Sequence, residues 1–163
     1  MAQPTEKIRR HHASISQKLQ RLAERIEGLE AAEVEAARDE LEGFVDFLFG
    51  DLKPHAEGEE RALYPAVDAL ILQHGGRPTE TMSLEHVAIT ERLEAFRAAV
   101  EKVLAAPAEE REAALRELRR AAHYIDALVP LHLHGEEEAL LPYLDAHLSA
   151  EEVDAIVHQM HGH

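Results

Sequence analysis

The stretch His55-Ala-Glu-Gly-Glu59-Glu60-Arg-Ala-Leu63-Tyr-Pro65 recurs later in the chain as His132-Leu-His-Gly-Glu136-Glu137-Glu138-Ala-Leu140-Leu-Pro142. In both copies a histidine stands four residues before a glutamate, with a leucine four and a proline six residues beyond it. A four-residue step puts imidazole and carboxylate on one face of an α-helix, one turn apart. Each copy therefore offers a nitrogen and an oxygen ligand to a single site.

Apolar residues around these copies step by threes and fours. Ile8, Ile15, Leu19, Leu22, Ile26 and Leu29 mark a first helix, with His12 filling the one gap in its stripe, Thr5 as N-cap and Gly28 near the end. A second helical stretch runs from about residue 33 to residue 73, with Leu41, Phe44, Leu48, Leu52, His55, Glu59, Leu63, Val67 and Leu70 on its stripe. Pro54 and Pro65 fall inside it, so a kink or short break is expected near Gly50 to Pro54. His74-Gly-Gly-Arg-Pro78 reads as a loop.

Met82, His86, Ile89, Leu93, Phe96, Val100 and Val103 define a third helix that ends near Pro107. Leu115, Leu118, Ala122, Ile125, Val129, His132, Glu136, Leu140 and Tyr143 define a fourth, bent at Pro130. Ser149 followed by Glu152 is a capping box for a short C-terminal helix over residues 149–160. The pattern predicts an all-α protein. It is an up-and-down four-helix bundle in one domain, with its core over residues 5–147 and a short extra helix at the C-terminus.

The halves match elsewhere too. His12-Ala-Ser-Ile15-Ser-Gln-Lys-Leu19 aligns without a gap with His86-Val-Ala-Ile89-Thr-Glu-Arg-Leu93. His12 precedes His55 by 43 residues and His86 precedes His132 by 46, so the unit is a helix pair used twice around one centre.

Composition bounds the function. The 163 residues carry a net charge of −15, which argues against nucleic acid or an anionic membrane as partner. With no cysteine there is no disulfide, iron–sulfur cluster or thiolate zinc site. No apolar run approaches membrane-spanning length, and Met-Ala-Gln-Pro-Thr-Glu does not open a signal peptide, so a cytoplasmic protein is expected. Twelve histidines are many for this length and need an explanation.

Six polar residues supply it. His12, His55, Glu59, His86, His132 and Glu136 occupy stripe positions where a bundle ordinarily carries Leu or Ile. A buried carboxylate without a partner costs several kcal/mol, against a total stability of about 5–15 kcal/mol for a whole domain. A single histidine on such a stripe is ordinarily a hydrogen-bonded core residue. Six polar residues, doubled by repetition and including two pairs at ligand spacing, instead require a common partner, and metal ions are the natural one.

Four nitrogens and two carboxylates exceed what one tetrahedral zinc takes. They suit two six-coordinate ions bridged by both glutamates, and the imidazole-rich set favours iron over manganese or magnesium. Of roughly twelve coordination positions, the residues and one oxo or hydroxo bridge fill about ten. About two remain for a small ligand such as O2, H2O2 or NO.

This arrangement resembles the hemerythrin-like proteins, the histidine–histidine–glutamate cation-binding domains, from Arg9-Arg-His-His12 through Leu144-Asp-Ala-His-Leu-Ser-Ala-Glu-Glu152. The His-x-x-x-Glu-Glu-x-x-Leu-Tyr-Pro block and the lead-in Pro78-Thr-Glu-Thr-Met-Ser-Leu-Glu-His86 carry the likeness. The resemblance implies a non-haem di-iron centre in a four-helix bundle, held by the same six residues. Ferritin-like di-iron bundles use Glu-x-x-His spacing instead, which this chain lacks.

One departure matters. Oxygen-carrying hemerythrins have a further histidine one turn past the third-helix ligand; here that position is Thr90, and its repeat counterpart is Ser16. The change disfavours reversible oxygen carriage and tilts the expectation toward peroxide breakdown or O2 and NO chemistry. A non-catalytic O2/NO sensor or carrier, or an iron store, is the alternative. Members with an added cysteine-bearing domain match poorly, and no general acid or base is identifiable.

The ungapped match prefers His12 to His11, and His134 with Glu138 reads as a surface pair. Glu60 and Glu137 are candidates to support the ligands, with Glu137 also an alternative ligand. Tyr124 is expected to pack in the core, with approach to the centre as its alternative. His158, His161 and His163 read as a solvated tail, with loose metal binding as the alternative.

Overall fold

The computed structural model describes residues 3–71 and 79–162, and among these every regular element is helical. The expected loop at 74–78 lies outside the described residues, as does His163. The main helices are α1 (Glu6–Glu27), α2 (Arg38–Phe47), α3 (Lys53–Gly58), α4 (Tyr64–Ile71), α5 (Thr79–Ala105), α6 (Arg111–Ala139), α7 (Leu141–His147) and α8 (Ala150–Met160). A short 3-10 turn, Ala31–Glu33, precedes α2. No helix among the described residues is long and apolar enough to cross a membrane.

α5 packs along α6, α6 along α1, and α2 against α5. Lys102 Nζ meets Glu117 at 2.6 Å, Arg92 lies over the Tyr124 ring at 4.9 Å, and Glu85 meets His132 at 2.8 Å, so α5 and α6 run antiparallel. Most of the stripe positions predicted from spacing are buried, with Phe44, Leu70 and Met82 half-buried: Ile15, Leu19, Leu48, Phe96, Val103, Leu115, Leu118 and Ile125 are fully enclosed. Each such aliphatic side chain contributes about 1.5–3 kcal/mol by leaving water.

The prolines explain the local deviations. Between α2 and α3 the chain forms a π-helical turn, Leu48–Leu52, in which the Lys53 N–H donates to the Leu48 carbonyl five residues back. A second π turn, Glu59–Leu63, joins α3 to α4, with the Tyr64 N–H donating to the Glu59 carbonyl. A proline ring clashes with the carbonyl four residues before it. For Pro54 and Pro65 those carbonyls belong to Gly50 and Arg61, each inside a π turn that widens the helix. The expected kink is thus a pair of wide turns in a continuing helix.

In the second half, α6 stops at Ala139 and α7 restarts at Leu141 with Pro142 in its first turn, where the missing N–H is not needed. That restart shifts the register. Leu141 and Leu144 are buried, whereas Tyr143, expected on the stripe, is partly exposed and stacks on His147 at 4.6 Å.

Thr5 holds the N-cap position without capping through its side chain. Its hydroxyl and N–H instead donate to the two carboxylate oxygens of Asp145, each at 2.9 Å, and Arg9 reaches the same carboxylate at 3.2 Å. This ties the start of α1 to α7. The Ser149–Glu152 capping box is formed, and α8 packs on the helix that carries His55 and Glu59. There the approach is close enough to require glycine: a Cβ on Gly58 would lie 2.5 Å from the Met160 carbonyl oxygen.

Candidate metal centre

The buried apolar residues form two clusters. One contains Ile15, Leu52, Ile89, Val129 and Leu133; the other contains Ile8, Leu63, Leu140 and Leu144. The predicted site residues sit between them in sequence on every helix: His12 between Ile8 and Ile15, His55 and Glu59 between Leu52 and Leu63, His132 and Glu136 between Val129 and Leu140. His86 lies one turn before Ile89. The result is a polar layer between two hydrocarbon layers. All six residues are buried, none more than 7% exposed.

The side chains converge in two overlapping groups. Glu59, His86, His132 and Glu136 bring one ligand atom each within 4.8 Å of one another, and so do His12, His55 and Glu59. Glu59 is shared. Its Oε1 lies 2.9 Å from His55 Nε2 and 3.3 Å from His12 Nε2, while its Oε2 lies 3.4 Å from His86 Nε2. Glu136 spans likewise, with Oε2 3.6 Å from His12 Nε2 and Oε1 3.6 Å from His132 Nε2.

Carboxylates on neighbouring turns fix three of the imidazoles. His86 Nδ1 donates to Glu60 at 2.8 Å, His12 Nδ1 to Glu137 at 3.2 Å, and His132 Nδ1 to Glu85 at 2.8 Å. A ring that gives its Nδ1 proton outward keeps Nε2 free as an inward acceptor. Glu60 and Glu137 thus take the supporting role expected of them, and each holds the histidine of the opposite half. Glu85 was not legible from spacing, because it sits beside His86 yet serves His132 on another helix.

His55 is the exception. Its Nδ1 has no hydrogen-bond partner, and the His11 ring lies edge-on to it at 4.5 Å. His11 itself donates to Asp51 at 2.9 Å.

Sequence reasoning also missed Tyr64, which is five residues past Glu59 and off the face in a regular α-helix. The π turn brings it round. Its hydroxyl donates to Glu136 Oε1 at 2.5 Å and lies 3.3 Å from His86 Nε2, with the two rings stacked at 5.3 Å. The signal available was the proline after it, which forces the wide turn. Tyr124 behaves otherwise than expected: it is 51% exposed beneath Arg92, neither in the core nor near the cluster. His134 and Glu138 are exposed, as predicted.

Charge is divided unequally between the two carboxylates. Burial alone would raise the Glu59 carboxyl, but His55, His12 and His86 outweigh it and hold Glu59 well below the ordinary range. Burial, reinforced by the charge of Glu59, pushes Glu136 well above its ordinary value despite the hydrogen bond from Tyr64. Burial and the Glu136 charge keep the Tyr64 phenol protonated. Burial lowers His132, whereas at His86 the neighbouring Glu59 and Glu60 more than offset it.

The donor set fits a metal. Nε2 of His55 and His132 and Oε2 of Glu59 and Glu136 are buried without hydrogen bonds, although such atoms are ordinarily satisfied. Thr90 turns its hydroxyl to its own helix, donating to the His86 carbonyl at 2.9 Å. On that side a groove of about 460 Å³, lined by Ala56, Glu60, His86, Val87 and Thr90 among others, reaches a histidine of the cluster. Its repeat counterpart, bordered by His12, Ser16, Leu133 and Glu137, measures about 270 Å³.

Searches among curated proteins and among solved structures returned no match. A family model, the hemerythrin HHE cation binding domain, matches residues 3–144, which include all six converging residues but not α8. The chain therefore belongs to the hemerythrin HHE cation-binding family.

Proposed function

We propose that this protein is an up-and-down four-helix bundle, one domain with α8 added to it. It holds two non-haem iron ions through His12, His55, Glu59, His86, His132 and Glu136, and handles a small oxidant. The observation that carries this reading is the set of buried, unsatisfied nitrogen and oxygen atoms facing one another between two apolar layers. Imidazole and carboxylate together suit six-coordinate iron, and sharing of Glu59 between both groups suits a pair of ions.

When bound, iron supplies the redox chemistry. The chain's own residues set its surroundings. Glu60, Glu85 and Glu137 hold three imidazoles with Nε2 inward, and Tyr64 fixes one oxygen of Glu136. Flanking hydrocarbon excludes bulk water, and the groove beside Thr90 admits a ligand the size of peroxide, dioxygen or nitric oxide.

Peroxide breakdown is the reading favoured by Thr90 and its groove. A binding role without turnover is favoured by a different observation: the Tyr64 hydroxyl, which reaches the cluster, is already committed to Glu136. Metal analysis and an absorption spectrum of the purified protein test the shared part, with about two irons per chain expected. Oxygen evolution from peroxide by the loaded protein then supports the enzyme. Absence of oxygen evolution, with a reversible spectral change on cycling oxygen or nitric oxide, supports the binder.

A further inference from the structure

Apart from Arg92 over the Tyr124 ring, no described helix covers the outward face of α6, and its residues are ordered by charge. At steps of three and four along the helix it presents Arg116, Arg120, Tyr124, Ala127, Leu131, His134 and Glu138, all exposed. Tyr124 is 51% and Leu131 68% exposed, unusually open for such large side chains. Arg116, Arg120 and Glu138 take no ion pair among the described residues, although most of the other described lysines and arginines have a polar or charged partner. One end of the face is cationic, the middle apolar, the other end anionic.

The equivalent face in the first half is also exposed, but it has α8 at its edge. By the repeat alignment Pro54, Glu57 and Arg61 correspond to Leu131, His134 and Glu138. Those three border a cleft closed by Met160 and His161, and Arg61 donates to the Met160 carbonyl at 2.6 Å. α8 therefore borders this face in the first half, and among the described residues no helix does the same for the second.

The geometry points to a second copy of this chain as the occupant, docked through α6 against α6 in antiparallel fashion about a twofold axis at Ala127. The face is self-complementary about that residue. Arg116 lies eleven residues before Ala127 and Glu138 eleven after, while Arg120 and His134 lie seven to either side. Tyr124 and Leu131 stand three before and four after. A twofold interface places each residue against the one equally far on the other side.

Both ends then gain an Arg116–Glu138 ion pair, both Arg120 guanidiniums meet an imidazole that can accept, and Tyr124 of each copy packs on Leu131 of the other. Alanine at the crossing lets the two helices approach closely. The groove beside Arg116, Arg120, His123 and Tyr124, about 560 Å³, lies where the second copy's Leu131 and Glu138 would enter. An unrelated partner would not require Arg116 and Glu138, or Arg120 and His134, to be equidistant from one alanine.

Sedimentation of the iron-loaded 163-residue chain tests this, with circular dichroism and iron content as checks on folding. A dimer of twice 18.2 kDa is expected. Leu131→Glu, at a position exposed in the single chain, should raise its dissociation constant at least about tenfold while leaving helix and iron content unchanged. Glu138→Arg should also weaken the dimer, and adding Arg116→Glu to it should restore most of the loss. A protein monomeric at high micromolar concentration, a larger closed assembly, a dimer indifferent to Leu131→Glu, or a charge swap without rescue would each overturn the assignment.

Discussion

The two halves present the same His-x-x-x-Glu pair on differently built helices. In the first, His55 sits on a short α-helical segment between two π turns and Glu59 opens the second of them; in the second, His132 and Glu136 lie near the end of an uninterrupted helix of 29 residues. The surroundings differ in step. His132 is braced by Glu85, whereas the matching position ahead of His12 is His11, which leaves the Nδ1 of His55 without a carboxylate. Tyr64 in the first half corresponds to Leu141 in the second. The repeat thus fixes where the inward-facing atoms go, and the departures from it decide how firmly each is held.

The largest effect should come from the shared carboxylate. Glu59→Ala is expected to abolish binding of both ions, because Glu59 belongs to both groups, whereas His55→Ala should spare about half the metal. Metal content per chain after desalting distinguishes the two. Equal losses in the two variants would mean that Glu59 is not shared.

Bracing comes next. Glu85→Ala should weaken metal retention about 10–100-fold in competition with a chelator, as loss of a partner to a ligating imidazole commonly does. His11→Glu supplies His55 with the carboxylate that Glu85 gives His132, and should move retention the other way. If neither variant changes retention, the asymmetry is without consequence for the metal.

These positions show what the linear sequence could and could not disclose. Spacing placed all six converging residues on the core stripes, since buried positions recur at threes and fours even where the helix is irregular. The alignment of His12 with His86 chose correctly between His11 and His12 for the inward position. Glu85 escaped because its partner is on another helix. Tyr64 escaped because a five-residue step faces inward only across a wide turn. Tyr143 departs from its stripe for the related reason that the chain restarts at Leu141, and Tyr124 because an aromatic on an amphipathic helix can also lie outside, here beneath Arg92.

Tyr64→Phe probes the wide turn itself. It removes the donor to Glu136 and leaves a buried acceptor short of a partner, at a cost of about 1–3 kcal/mol in urea unfolding. A shift in the absorption of the metal-loaded protein should accompany it. The smallest effect concerns α8, which packs against the helix that carries His55 and Glu59. Ser149→Ala deletes one side of the capping box and should cost ~1 kcal/mol, lowering Tm by about 2–4 °C.

The π turn at Glu59–Leu63 holds one residue more than an α-helical turn would. Excising a single residue there would tighten the coil and swing everything downstream, Tyr64 included, around the helix axis, while His55 and Glu59 stayed where they are. A one-codon deletion would then turn the hydroxyl away from Glu136 while leaving the phenol itself on the chain, a change of direction that side-chain replacement alone does not offer.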